Sequence, residues 1–246
     1  MSRLNGRKLL LTRGAEDSAQ WAEVLAAEGA EPIVFPCIRS ERNDNPVVAE
    51  QLSAALEKTD WLVFTSRRGV DAFATLTGSV LPSSIRLAAV GKATAARLRE
   101  CFDREALVGP GTAETLGAEL ATETSIRNGA HCLLALAANA ARVLEHTLTE
   151  AGASVTRLDV YRTVPAAPLN PKRALSALGC DTVIFGSPSA VTGFDNQVNV
   201  DMTQQFVTIG PTTSAAVRAH QWDVTAEAKE PNLSGIIESL LETGYV

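Results

Sequence analysis

The chain has 246 residues, enough for one large domain or two medium ones, each with its own core. Its 46% hydrophobic and 20% charged content is that of a soluble globular protein. With 22 basic against 28 acidic residues the formal charge is −6, which argues against a general nucleic-acid binder because such proteins carry a basic excess.

Along the chain, short apolar runs alternate with amphipathic ones. Lys8–Thr12 reads as a strand, Asp17–Glu28 as a helix stopped by Gly29, and Glu31–Phe35 as a strand ended by Pro36. The pattern continues with a helix near Val47–Glu57, strand Trp61–Phe64, helix Gly69–Leu76, strand Leu87–Val90 and helix Ala93–Glu100. In the second half, strands are expected near Cys132–Leu136, Ser154–Val160, Thr182–Phe185 and Phe206–Ile209, each followed by a turn and a helical run. Buried strands separated by helices argue for βαβ units, parallel sheets and right-handed crossovers. The expected fold class is therefore α/β, with doubly wound parallel sheets.

A repeat with a period near 121 residues adds to this. Asp60-Trp-Leu-Val-Phe-Thr-Ser, with Val70 and Phe73 beyond it, matches Asp181-Thr-Val-Ile-Phe-Gly-Ser, with Val191 and Phe194. Leu87-Ala-Ala-Val-Gly91 matches Phe206-Val-Thr-Ile-Gly210, and Trp21–Ala30 matches Val143–Ala153. Three ordered matches imply a duplicated α/β unit and hence two similar domains. Linkers are expected where strands give way to proline, at Pro36–Ser40 and in the VYRTVPAAP run from Val160 to Pro168.

The chemistry gathers at strand ends. No phosphate-binding glycine motif is present: Gly109-Pro-Gly111 lacks the dinucleotide spacing and follows no evident strand. No nucleophile elbow is found either. The cysteines (Cys37, Cys101, Cys132, Cys180) and histidines (His131, His146, His220) are dispersed, so neither a disulfide framework nor a metal site is expected. Met1–Asn5 carries no apolar leader and no run approaches the ~20 residues that span a bilayer, so the expected setting is cytoplasmic, with no membrane partner. What recurs is a hydroxyl after the strand: Thr12, Thr65-Ser66, Ser187 and Ser189, Thr212-Thr213. Taken singly, such residues are helix N-caps. Repeated at the carboxyl ends of strands in both halves, beside helix N-termini, they suit an anionic ligand, and Arg13 and Arg67 add charge there.

Several turns together carry a family resemblance: Phe64-Thr65-Ser66 with Val70, Phe185-Gly-Ser-Pro-Ser-Ala-Val191, Val160-Tyr161-Arg162 after Gly152-Ala153, and Ile209-Gly210-Pro211-Thr212-Thr213 before an alanine-rich helix. Over essentially its whole length the chain resembles uroporphyrinogen-III synthases. The resemblance implies two flavodoxin-like domains joined by a two-stranded linker. One would be discontinuous, residues 1–36 plus 166–246, and the other inserted, residues 40–160, with linkers about 36–40 and 160–166.

It further implies a cofactor-free cyclising lyase that converts hydroxymethylbilane to uroporphyrinogen III. Ring D is inverted through a spiro intermediate and the terminal hydroxyl is lost as water. Tyr161 matches the linker tyrosine assigned as acid for that hydroxyl. Thr12, Arg13, Thr65, Ser66, Ser187, Ser189, Thr212 and Thr213 would bind substrate, largely through backbone N–H groups at their turns. Ala135–Ala141 departs from the family by lacking its glycine and acidic residue before Arg142, and Gly186 stands where Thr or Ser is common. A monomer is expected, with at most transient contact with hydroxymethylbilane synthase. The alternative is a two-lobed small-molecule binding or sensing module without catalysis, since fold alone does not fix function.

Overall fold

The computed structural model describes residues 3–43 and 45–242. In chain order the elements are β1 (Lys8–Leu11), α1 (Ala15–Ala27), β2 (Glu31–Val34), β3 (Ile38–Arg42), α2 (Pro46–Leu56), β4 (Trp61–Phe64), α3 (Arg67–Thr77) and β5 (Arg86–Val90). They continue as α4 (Gly91–Phe102), β6 (Leu107–Gly109), α5 (Ala113–Leu120), α6 (Thr124–Arg127), β7 (His131–Ala137), α7 (Val143–Glu150) and β8 (Ser154–Pro165). Then come β9 (Arg173–Ala174), a 3₁₀ turn at Leu175–Leu178, β10 (Thr182–Phe185), α8 (Pro188–Gln197) and β11 (Val198–Asn199). The chain closes with β12 (Gln205–Thr208), α9 (Pro211–Ala219), β13 (Val224–Glu227) and α10 (Leu233–Glu242).

Two compact units form, Met1–Arg39 with Val164–Val246, and Ser40–Thr163. The first is built on a five-stranded sheet ordered β13-β12-β10-β1-β2, whose neighbouring pairs all run parallel. The second has a six-stranded sheet ordered β3-β8-β7-β4-β5-β6, parallel from β8 to β6. Neighbouring strands β3 and β8 carry the chain across the two unit boundaries.

Helices on both faces explain why the central strands read as continuous apolar runs. In the second unit, alternate residues feed separate cores: Leu62, Phe64, Leu133 and Ala135 on one face, Trp61, Val63, Cys132 and Leu134 on the other. The first unit repeats this with Leu10, Val183 and Phe185 against Leu9, Leu11 and Ile184. Phe64 and Phe185 are wholly buried, and each meets the aromatic ring of its following helix edge-on, Phe73 and Phe194 respectively. Truncating either strand phenylalanine to alanine would cost about 3–5 kcal/mol by lost burial and the cavity left behind.

The internal repeat has a physical content beyond its apolar positions. Asp60 Oδ2 accepts from the His131 N–H at 2.8 Å, and Asp181 Oδ2 from the Lys8 N–H at 2.7 Å. Each aspartate thus caps the first residue of the strand beside its own. Several elements escaped the sequence reading, β6, β9, β11, β13, α5 and α6 among them. Leu107–Gly109 is a strand, so the Gly109–Gly111 turn does follow one, and α5 behind it is started by a reciprocal Thr112–Thr115 capping box rather than by a phosphate-type loop.

Candidate functional site

The repeated serines sit where helices begin. Ser66, in an extended conformation, caps α3 by accepting the Gly69 N–H at 3.1 Å, and Ser187 caps α8 by accepting the Ala190 N–H at 3.2 Å. Pro188 at the first helical position suits that start, since its missing N–H would have no helical partner anyway. Both caps carry a second polar contact. Ser187 Oγ lies 3.2 Å from Ser189 Oγ, and Ser66 Oγ lies 3.0 Å from the Tyr161 hydroxyl.

Tyr161 is the most informative of the predicted residues. The residue is 8% exposed and packs in the core of the second unit with Phe64, Val70, Phe73 and Val160, so it is more enclosed than a phenol lining an open cleft. Its hydroxyl reaches half-buried Ser66, whose Oγ already accepts from α3 and keeps an O–H to give. The turn after β7 closes over the same strand, with the Ala138 N–H donating to Tyr161 O at 2.8 Å. Gly69 leaves room beneath this arrangement. A Cβ there would lie 3.1 Å from Ala135 O and 3.3 Å from Ser66 Oγ, pressing on the cap itself.

In the first unit the predicted residues divide. Thr12 is 0% exposed and its hydroxyl donates to Ile184 O at 2.7 Å, while Thr213 is 2% exposed inside α9. These two hydroxyls are enclosed by the fold: β1 is an interior strand, and α9 turns Thr213 inward. Thr212 is exposed, and Thr65, Ser187 and Ser189 are half-buried at the strand ends. Arg13 leaves β1 with its guanidinium 4.4 Å from the Trp21 ring centroid and 3.9 Å from Asp17. Its stem crosses Gly186, where an added Cβ would stand 3.0 Å from Arg13 Cγ. The departure from the usual Thr or Ser at Gly186 therefore makes room for Arg13.

Sequence reasoning missed Arg157. On β8 it is 16% exposed in its side chain and pairs with Glu145 at 2.7 Å and Asp159 at 2.6 Å. Burial works against its charge, but the hydrogen bonds to both carboxylates outweigh that and hold its pKa above the ordinary arginine value. The available signal was the Arg-x-Asp alternation about Leu158 in β8. Among the described residues, no group of three or more His, Cys, Asp or Glu side chains could hold a metal ion, and no helix is long and apolar enough to cross a membrane.

Two doubly wound parallel-sheet units, with serine-capped helices repeated at their strand ends and a tyrosine bonded to one cap, define a duplicated α/β protein. Residues 19–238 match the family model described as uroporphyrinogen-III synthase HemD. The chain is 27% identical to the chloroplastic uroporphyrinogen-III synthase of Oryza sativa subsp. japonica, over 95% of this chain and 80% of that protein. It is 25% identical to the porphyrin biosynthesis protein HemD of Ruminiclostridium josui, over 98% of this chain but 49% of that longer one. In fold it is similar to uroporphyrinogen-III synthetase from Helicobacter pylori 26695, with a TM-score of 0.57 at 17% identity over 97% of this chain and 100% of the other. The chain belongs to the uroporphyrinogen-III synthase family.

Proposed function

We propose that this chain is a cyclising lyase that converts hydroxymethylbilane to uroporphyrinogen III, inverting ring D and releasing the terminal hydroxyl as water in tetrapyrrole biosynthesis. The activity rests on membership of the family, and the observation that carries the site is the 3.0 Å contact of the Tyr161 hydroxyl with Ser66 Oγ. Tyr161 gives its proton to the departing hydroxyl, and the Ser66 O–H steadies the phenolate left behind. The electron-deficient terminal carbon is then attacked by the substituted α-carbon of ring D to give the spiro intermediate. The bond from that carbon to its bridging methylene breaks, and the released methylene bonds to the free α-carbon of the same ring. The proton displaced there returns to the phenolate as the pyrrole regains aromaticity.

The bilane closes unaided to the symmetric I isomer, so the protein's task is to orient the chain and exclude that path. Side chains at Arg13, Thr65, Ser187, Ser189 and Thr212 hold carboxylates, assisted by the N–H groups that begin α3 at Ser66, α8 and α9. The domain assignment, discontinuous first unit and inserted second, goes with this reading, as do a monomeric state, a cytoplasmic location and a passing encounter with hydroxymethylbilane synthase. The non-catalytic binding module is not favoured.

The test generates hydroxymethylbilane in situ with its own synthase, adds this protein, oxidises the products and separates the isomers by chromatography. Predominant III isomer is expected, with Tyr161→Phe retaining the III preference at a turnover roughly 100-fold lower, the low end of the range for one general acid. A folded protein that yields only the I isomer would overturn the assignment.

A further inference from the structure

The direction of Tyr161 depends on a break in the sheet. Along β7 and β8, Leu136 pairs with Asp159 but the next residue, Ala137, pairs with Tyr161, so Val160 is left without a partner across the ladder. Strict alternation would put Tyr161 on the face that Arg157 and Asp159 share. Because of this bulge, Leu158, Val160 and Tyr161 all enter one core, and the phenol reaches Ser66.

The bulge is held from both sides. On the β3 side, the Asn43 N–H donates to Val160 O at 3.0 Å and Asn43 Nδ2 donates to Asp159 O at 2.9 Å. On the β7 side stands Arg157. Its Nε donates to Asp159 Oδ1 at 2.6 Å, one terminal nitrogen donates to Ala140 O at 3.1 Å and Glu145 Oε1 at 2.7 Å, and the other to Ala137 O at 2.8 Å and Ala138 O at 3.2 Å. A guanidinium has five N–H donors, and here all five are taken by protein acceptors, so none is left for a ligand. Three of the acceptors are carbonyls of the turn 137–140. That is the turn whose Ala138 N–H closes onto Tyr161 O, and it is the stretch of alanines that lacks the family's usual glycine and acid.

We propose that Arg157 is a positioning residue for the reaction: its guanidinium fixes the turn 137–140 and the β8 bulge, and through them sets the Tyr161 hydroxyl on Ser66. This rests on the role given above to Tyr161, and its test separates the two. The chain has two tyrosines, Tyr161 and Tyr245, so a Tyr245→Phe background labelled with 13C at the phenolic carbon gives one signal reporting on Tyr161 alone.

In that background Arg157→Lys is compared with Arg157 intact. Lysine keeps the charge but offers three donors from one point, too few and too close together to span the five acceptors. The expected result is a displaced Tyr161 signal, kcat reduced roughly tenfold and KM changed less than about twofold, because orientation rather than binding is lost. The double variant Arg157→Lys/Tyr161→Phe should be no slower than Tyr161→Phe alone. An unmoved Tyr161 signal, or losses that multiply in the double variant, would overturn the proposal. If Arg157→Lys does not fold, Asp159→Ala removes one arm of the fork and the same signal decides. If Tyr161→Phe alone keeps full kcat, the role of Tyr161 fails while the signal still judges the positioning.

Discussion

Replacing Gly186 by serine would supply the hydroxyl that the family resemblance leads one to expect at this turn, yet this chain should bind substrate worse for it. Gly186 does not need glycine's backbone freedom, so the fold accepts a side chain there. What a Cβ meets is the Arg13 stem, 3.0 Å away at Cγ and 3.3 Å at Cδ, and a flexible stem yields at small cost. Yielding takes the guanidinium off the Trp21 face, where it stands 4.4 Å from the centroid, and forfeits about 0.5–1 kcal/mol of cation–π attraction. The larger effect falls on the ligand. A charge-assisted hydrogen bond to a substrate carboxylate is worth about 1.5–3 kcal/mol, so losing its geometry should raise KM about 10- to 100-fold with little change in kcat. The coupled assay on Gly186→Ser and Arg13→Ala measures this, with thermal melting to show that both are folded. Arg13→Ala with a wild-type KM would remove Arg13 from the substrate. Arg13→Ala impaired but Gly186→Ser unimpaired would refute the steric step, because the stem would have moved without carrying its head away.

Two further predictions concern stability. Gly193 lies in α8 where an added Cβ would come within 1.7 Å of Cys37 O and 2.8 Å of Ala166 N, two atoms joined by a 2.8 Å hydrogen bond. Helix propensity alone favours Gly193→Ala by about 1 kcal/mol, whereas overpacking against rigid backbone should reverse the sign and cost about 3 kcal/mol or more. A urea midpoint equal to or above the parent's would show that the approach is not that close. Burial pushes the Cys132 thiol from 9.0 up to about 12, and burial also raises Cys37. Above pH 9 the unfolded chain releases these protons while the folded one keeps them. Stability that is full below pH 9 is therefore lost as the pH climbs toward the folded values, by about 1.4 kcal/mol per pH unit for each thiol. Denaturant titrations at pH 8 and pH 10 should show a shallower fall for Cys132→Ala, and parallel curves would refute the linkage.

Much of this architecture could be read from the chain because its signals are local. Alternating strand and helix patterns gave the α/β class, and the Asp60–Phe73 and Asp181–Phe194 match gave the duplication, since each copy repeats the same strand, cap and aromatic packing. The three-residue strand at Leu107–Gly109 was lost because it is too short to show a period. Among site residues, the serine caps were legible from their place before a helix. The enclosure of the Thr12 and Thr213 hydroxyls was not legible, because which way a hydroxyl turns at a strand end depends on the layer outside it, and that layer comes from distant sequence. Tyr161 was visible as a residue but its enclosure was not, since a one-residue bulge reverses the inward face without leaving a mark on hydrophobic pattern. Arg157 was hidden for a similar reason: three of its five acceptors are carbonyls, which every residue has.

The order of strands in the first unit also bears on how the protein is made. β1 is an interior strand of the five-stranded sheet, flanked by β2 and by β10, which follows it by more than half the chain. At about 5–20 residues per second, a ribosome that has released β2 needs roughly 8–30 s to deliver β10. Throughout that interval β1 has one open edge, the only helix covering Leu9 and Leu11 is α1, and the Leu10 face lacks α8 and α9, although the entire Ser40–Thr163 unit can be emerging with its own strands complete. The nascent N-terminus is thus the natural client for a holding chaperone, and translation pauses placed after residue 163 would lengthen its exposure while pauses before residue 8 would not.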